Sequence, residues 1–139
     1  MIKLSHIFKR KKHYPILDKY DIEFKLLKES GEKYLHVHIK SMTDANFLIS
    51  GYFVYMGVEI FQDDILPNIN RALNGDPFDE NGGQSGIDIF LTIGASTSLL
   101  ESANAMHKPV IIPTQDIKEI IEAWVDWVVS NKLENLPSL

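Results

Sequence analysis

Residues 87–129, IDIFLTIGASTSLLESANAMHKPVIIPTQDIKEIIEAWVDWVV, decide the fold of this chain. The segment opens on 87–93, where Ile89, Phe90 and Leu91 form the nearly continuous apolar run of a buried strand. Ser98 and Glu101 stand in the spacing of a capping box, which predicts a helix to about His107. Pro109-Val110-Ile111-Ile112-Pro113 predicts a second buried strand. Thr114 is then placed to cap a long amphipathic helix. Ile117, Ile120, Ile121, Trp124 and Val128 recur on one face of it, Lys118, Glu119, Glu122 and Asp126 on the other. Strand, helix and strand with short loops predict a βαβ unit, with 87–93 and 109–113 adjacent and parallel.

Working outward, residues 21–40 predict a β-hairpin. Ile22, Phe24 and Leu26 alternate with Glu23 and Lys25, Ser30-Gly31-Glu32 is a turn signal, and Leu35, Val37 and Ile39 alternate with Tyr34, His36, His38 and Lys40. Residues 43–61 are apolar enough for a buried helix capped by Thr43 or Asp44, yet Phe47-Leu48-Ile49 and Tyr52-Phe53-Val54-Tyr55 also suit a third strand. The helix is the preferred reading. Residues 64–74 predict a further helix, with Asp63 or Asp64 as cap, Pro67 in its first turn and Gly75 at its end. Residues 76–86, DPFDENGGQSG, are a loop by composition and read as mobile. The expected class is α+β: an N-terminal hairpin and a C-terminal βαβ unit in a single sheet packed by helices.

At 139 residues the chain fits a single domain, 1–139, with 1–14 as a basic N-terminal arm. The arm has helical spacing over 2–12 and ends in Lys9-Arg10-Lys11-Lys12, a cluster that could rest on the protein's own acidic middle. An apolar fraction of 45% suits a globular protein, and the absence of cysteine removes disulfides, thiolate zinc sites and a cysteine nucleophile. The N-terminus lacks the apolar core of a signal peptide, and no run is long enough to span a bilayer, so the chain is expected in the cytoplasm, away from membranes.

Charge is the strongest functional signal. Residues 1–40 carry ten bases and five acids. Between Lys40 and Lys108 stand nine acids and one base, Arg71. From Lys108 onward there are three bases and five acids. The three regions thus sum to +5, −8 and −2, against a chain total of −5. Such a middle repels nucleic acid and suits a basic protein partner. Asp63, Asp64, Asp76, Asp79, Glu80 and Asp88 are the candidate partner-binding acids. Trp127 joins them because it falls at the edge of the helix's apolar face, where aromatic hot spots occur.

No catalytic set competes with this signal. Asp63 and Asp64 are adjacent and do not face each other, and Ser96, His107 and Asp88 lack the spacing of a triad or a nucleophile elbow. His36 and His38 share a strand face but gain no third ligand from local spacing. No catalytic residue, metal site or cofactor is therefore expected.

Two resemblances bear on function. The stretch IDIFLTIGASTSLLESANAMHKPVIIP, with Ser96, Glu101 and Lys108-Pro109, is similar to the sugar-nucleotide-binding segment of two-domain glycosyltransferases. That likeness implies a phosphate cradle on the Gly94–Ser98 strand-to-helix turn. The whole profile, small, acidic, cysteine-free and α+β, resembles the immunity proteins of bacterial polymorphic and contact-dependent toxin systems. That likeness implies an inhibitor of a cognate toxin domain with a basic surface, such as a nuclease. Self-association through the basic arm, giving a homodimer, is a third expectation.

Overall fold

The computed structural model of the chain describes residues 12–83, 88–104 and 107–139. A short helix α1 (Pro15–Lys19) leads into the expected hairpin of β1 (Ile22–Glu29) and β2 (Glu32–Ile39). The helix expected over 2–12 lies outside the described residues except at Lys12. The turn of the hairpin is Ser30-Gly31, both at positive φ (51° and 83°), which matches the twist of the flanking strands. Ile22 faces Ile39, Phe24 faces Val37 and Leu26 faces Leu35, so one face is a ladder of apolar cross-strand pairs. The C-terminal tail extends this sheet. Leu35 donates its N–H to Pro137 O at 2.8 Å and accepts from Leu139 N at 2.9 Å, while the buried Ser138 hydroxyl donates to Phe53 O at 2.8 Å.

Helix α2 (Asp44–Tyr52) resolves the ambiguity at 43–61 in favour of a helix over its first part. Thr43 caps it: its hydroxyl accepts from Asn46 N at 3.1 Å, and Asn46 Oδ1 accepts from Thr43 N at 2.8 Å. The buried Asn46 amide also donates to Tyr20 O and Ser41 O, so every polar atom of that side chain is used.

After a turn at 53–57, one continuous helical rod holds α3 (Val58–Ile60), a π-helical turn (Phe61–Ile65) and α4 (Leu66–Asn74). The sequence places a helix start at Asp63 or Asp64. In the structure both lie inside the π turn and cap nothing. Pro67 explains the widened turn: it has no N–H, its ring crowds the carbonyl four residues back, and a five-residue turn, closed by Leu66 N–H to Phe61 O, relieves that crowding.

The C-terminal half differs most from expectation. Residues 97–102 are a strand, β4 (Thr97–Ser102), not a helix. It pairs antiparallel with both β3 (Ile89–Thr92) and β5 (Val110–Pro113). There is therefore no βαβ unit. The strands β3 and β5 run the same way but are separated by β4, and this three-stranded sheet is distinct from the hairpin sheet, so the single sheet is replaced by two. The S-x-x-E spacing misleads because TSLLES also alternates. Ser98 and Leu100 point inward and are buried, while Thr97, Leu99 and Glu101 point outward. The connection from 93 to 96 is short enough for a hairpin but not for a parallel crossover.

Helix α5 (Thr114–Ser130) forms as expected, but its N-cap is Pro113. The Thr114 hydroxyl donates instead to Gly94 O at 2.7 Å and lies 2.7 Å from the Ser98 hydroxyl. The two sheets share one core. Leu48, Phe61, Ile65, Ile69 and Leu100 are fully buried with Trp124, which is 1% exposed. Each side chain of this kind contributes roughly 1.5–3 kcal/mol through burial. Phe53 holds Phe61 and Trp124 at ring distances of 5.1 Å each.

Candidate partner surface

Five of the six candidate acids flank α4 in the chain. Gly75, at φ 78°, ends that helix in the left-handed conformation that glycine adopts without strain, and Asp76 N–H returns to Arg71 O at 2.9 Å. The chain then folds back along the helix and is clamped by Asn68. Its Oδ1 accepts from Asp79 N at 2.9 Å and its Nδ2 donates to Asp79 O at 2.7 Å. Asp79 Oδ1 accepts from Asn81 N at 2.9 Å, an Asx turn that fixes its carboxylate. Further along, Ile93 N–H donates to Glu80 O at 2.9 Å and the buried Tyr52 hydroxyl donates to Gly83 O. Over 76–83 the expectation of a mobile loop is therefore corrected: backbone bonds to α2, α4 and the residue after β3 hold it. Residues 84–86 of that loop lie outside the described residues.

Asp76, Asp79 and Glu80 are exposed on this loop, and Asp63 and Asp64 are exposed on the π turn. Asp63 and Asp64 thus precede α4, while Asp76, Asp79 and Glu80 follow it on the loop that Asn68 clamps back onto the helix. Asp88 stands apart. It is exposed at the far end of β3 from Glu80, about 16 Å away along the strand. Trp127 is not with the acids. It packs on Phe24 at 5.5 Å and Trp124 at 5.4 Å, half-buried between α5 and the hairpin, which is a core-edge role.

The ion pairs separate two kinds of acid. Among the described residues Lys12 pairs with Asp126 at 2.8 Å and Lys19 with Asp116 at 2.7 Å, both on α5. Lys12, the base of the Lys9–Lys12 cluster that lies among the described residues, thus meets the C-terminal helix. Hydrogen bonds from Lys12 and Tyr14 hold the Asp126 carboxyl below the usual carboxylate range. Burial first, and then the Asp126 and Asp116 carboxylates, push the hydroxyls of Tyr14 and Tyr20 well above the usual tyrosine range. Asp63, Asp64, Asp76, Asp79, Glu80 and Asp88 have no such partner among the described residues. Even Arg71, the lone base of the region, directs Nη2 to Asn68 Oδ1 at 3.3 Å and not to a carboxylate.

Sequence inspection missed Asn68 and Tyr52, which shape this surface. The available signal for Asn68 was its place on the inward stripe of α4, between Ile65, Ile69 and Ala72, where a polar side chain needs buried partners.

The other candidate sites take structural roles. Gly94–Ser98 is a strand-to-strand turn, with no helix N-terminus to cradle a phosphate. Gly94 is required because a Cβ there would meet Thr97 O at 2.1 Å, and Ser98 is buried against Thr114. The rings of His36 and His38 are 6.3 Å apart, and His36 Nδ1 donates to Leu139 O at 2.7 Å. Among the described residues no cluster of three His, Cys, Asp or Glu is placed to hold a metal ion, and no helix is long and apolar enough to cross a membrane. His107 stacks on Phe47 at 3.7 Å and meets Asp44 at 3.1 Å, which ties it to α2 and away from Ser96. Set against known protein families, functionally characterised proteins and solved structures, the chain matches none.

Proposed function

We propose that this chain is a binding protein that neutralises a basic protein partner, in the manner of an immunity protein against a cognate toxin domain, through the acids around α4. One observation carries the reading. The acids at 116 and 126 bond lysine and tyrosine partners within the fold, whereas Asp63, Asp64, Asp76, Asp79 and Glu80 are exposed without ion pairs among the described residues, three of them on a loop held by the buried Asn68. A held loop loses little conformational freedom on binding, and unpaired carboxylates steer a cationic surface to it. A toxin nuclease presents lysine and arginine to phosphate, and these carboxylates compete for the same groups. The test is stopped-flow association with a purified basic toxin nuclease domain, taken from the neighbouring gene where that gene encodes one. Raising salt from about 0.05 to 0.5 M is expected to slow association by about tenfold. Changing Asp76, Asp79 and Glu80 together to Asn or Gln is expected to slow it comparably. Binding indifferent to both refutes the proposal.

A further inference from the structure

Two open sheets have four edges, and three of these are closed within the fold. Leu35 on β2 bonds Pro137 and Leu139 of the tail. Beside β3, Gly83 lies so close that a Cβ on it would come within 2.7 Å of Leu91 O, and Ile93 N–H bonds Glu80 O. On β5 the bond from Thr114 N–H to Ser96 O sets the alternation, so positions 109, 111 and 113 turn their backbone groups outward; Pro109 and Pro113 leave Ile111 as the one donor there. The outer edge of β1 has no such closure. Lys40 N–H bonds Asp21 O, so the odd positions from 21 to 29 serve β2, and Ile22, Phe24, Leu26 and Lys28 turn N–H and C=O away from it. Among the described residues no hydrogen bond, proline or bulge closes this edge of eight residues. Its outer half carries a symmetric pattern. Lys25 and Glu29 stand two places to either side of Leu27, on the outer face of the hairpin. Glu29 faces Glu32 across the hairpin, a like-charge pair, and Lys25 has a part-exposed pair with Glu23 at 3.3 Å. On the other face Leu26 is 44% exposed.

We propose that β1 pairs antiparallel with β1 of a second copy of the chain, about a two-fold axis normal to the sheet at Leu27. Leu26 then exchanges backbone bonds with Lys28 of the second copy, and the reverse, about four bonds in all. On the outer face Leu27 meets Leu27 of the second copy, and Lys25 stands opposite Glu29 of the second copy, and the reverse, at the close spacing of non-hydrogen-bonded pairs. On the other face the two Leu26 side chains become diagonal neighbours. Charge selects this register. An axis at residue 25 or 28 sets Lys25 or Lys28 against itself, and an axis at 26 sets Glu23 against Glu29. An axis at 24 drives residues 27–29 against Asp21, whose φ of 56° takes the chain out of the strand path toward α1. A basic strand from another protein would bring like charge to Lys25 and Lys28. The interface is one strand edge, so the association is weak and concentration-dependent.

The chain has no cysteine, so a single one placed on the axis reads the register. In Leu27→Cys the two Cβ atoms stand about 5 Å apart, near the spacing of a disulfide. Oxidation is expected to give a covalent dimer at least about tenfold faster than in Lys25→Cys, whose two substituted positions lie about 13 Å apart along the strands. Sedimentation equilibrium on the full chain over about 10–500 µM is expected to carry the wild type from monomer to dimer. Lys25→Glu and Glu29→Lys are each expected to weaken dimerisation about fivefold or more, since the symmetry counts each pair twice. The combined swap is expected to restore it to within about threefold of wild type. Both side chains lie outside the core, so melting is expected to move by only a few degrees. A wild type that stays monomeric throughout the range overturns the proposal, as do equal oxidation rates for the two cysteine variants, or a double swap that restores nothing.

Discussion

Replacing Asn68 by Ala tests whether the acidic loop is built or merely tethered. Asn68 is 3% exposed, and its amide makes two bonds to the Asp79 backbone, at 2.7 and 2.9 Å, and receives a longer one from Arg71. Each neutral hydrogen bond contributes about 1 kcal/mol net, and an orphaned buried partner costs about 1–3 kcal/mol. Asp79 O keeps a second donor, Gly82 N at 3.0 Å, so only the Asp79 N–H is fully orphaned, beside a small cavity. The expected loss is therefore about 2–3 kcal/mol, which at this chain length lowers the melting temperature by roughly 6–12 °C. Urea unfolding gives the global figure, and amide exchange locates it. Exchange at Asp79 to Gly83 is expected to rise well beyond the global change, because the clamp is local. Association with a basic partner is expected to slow as well, since the carboxylates are no longer held. A loss under about 0.5 kcal/mol, the ordinary range for a surface site, refutes the reasoning, as does loop exchange that only follows global unfolding.

Other perturbations read other parts of the fold. Gly94→Ala forces a Cβ to within 2.1 Å of Thr97 O, so the β3–β4 turn must shift; a loss of about 3 kcal/mol or more is expected in urea unfolding. Ser138→Ala removes one of two donors to the Phe53 carbonyl, which keeps Met56 N–H at 3.2 Å, and is expected to cost about 1 kcal/mol, with faster exchange at Leu35 and Tyr55, whose N–H groups bond the tail. Asp126 has a carboxyl pKa lowered by Lys12 and Tyr14 in the folded state. Its stabilisation is thus present above the unfolded value, about pH 4, and is lost as pH falls through the lower folded value. Asp126→Asn is expected to be less stable than wild type at neutral pH, with the gap closing below about pH 4 in pH-dependent unfolding curves.

What was legible in the sequence was periodicity with a single reading. The hairpin at 21–40 alternates strictly and closes on a Ser-Gly turn, and both its strands and its register follow. The last helix repeats its apolar residues at helical spacing, and Trp124 lies where that spacing puts it. The segment 97–102 failed because six residues reading TSLLES satisfy a helix cap and a strand alternation equally. Pairing on both edges of the backbone, which no local pattern reveals, decides between them. That one change turns a parallel βαβ unit into an antiparallel meander, and with it removes the helix N-terminus on which a phosphate cradle would rest.

The charge signal was legible as composition but not as a surface. Counting acids between 40 and 108 cannot separate Asp44, which meets His107, from Asp79, which faces solvent on a clamped loop. The separation comes from long-range pairing. Lys12 and Lys19 pair with Asp126 and Asp116 on α5, and among the described residues no base pairs with the acids around α4. Among the described residues one set of carboxylates is thus paired and another is left unpaired. The chain also spends two buried side chains, Asn68 and Tyr52, on holding three of the unpaired ones in place. Polar groups buried in a core cost free energy unless every bond is made, and their use beneath an exposed loop is what folding stability alone does not call for.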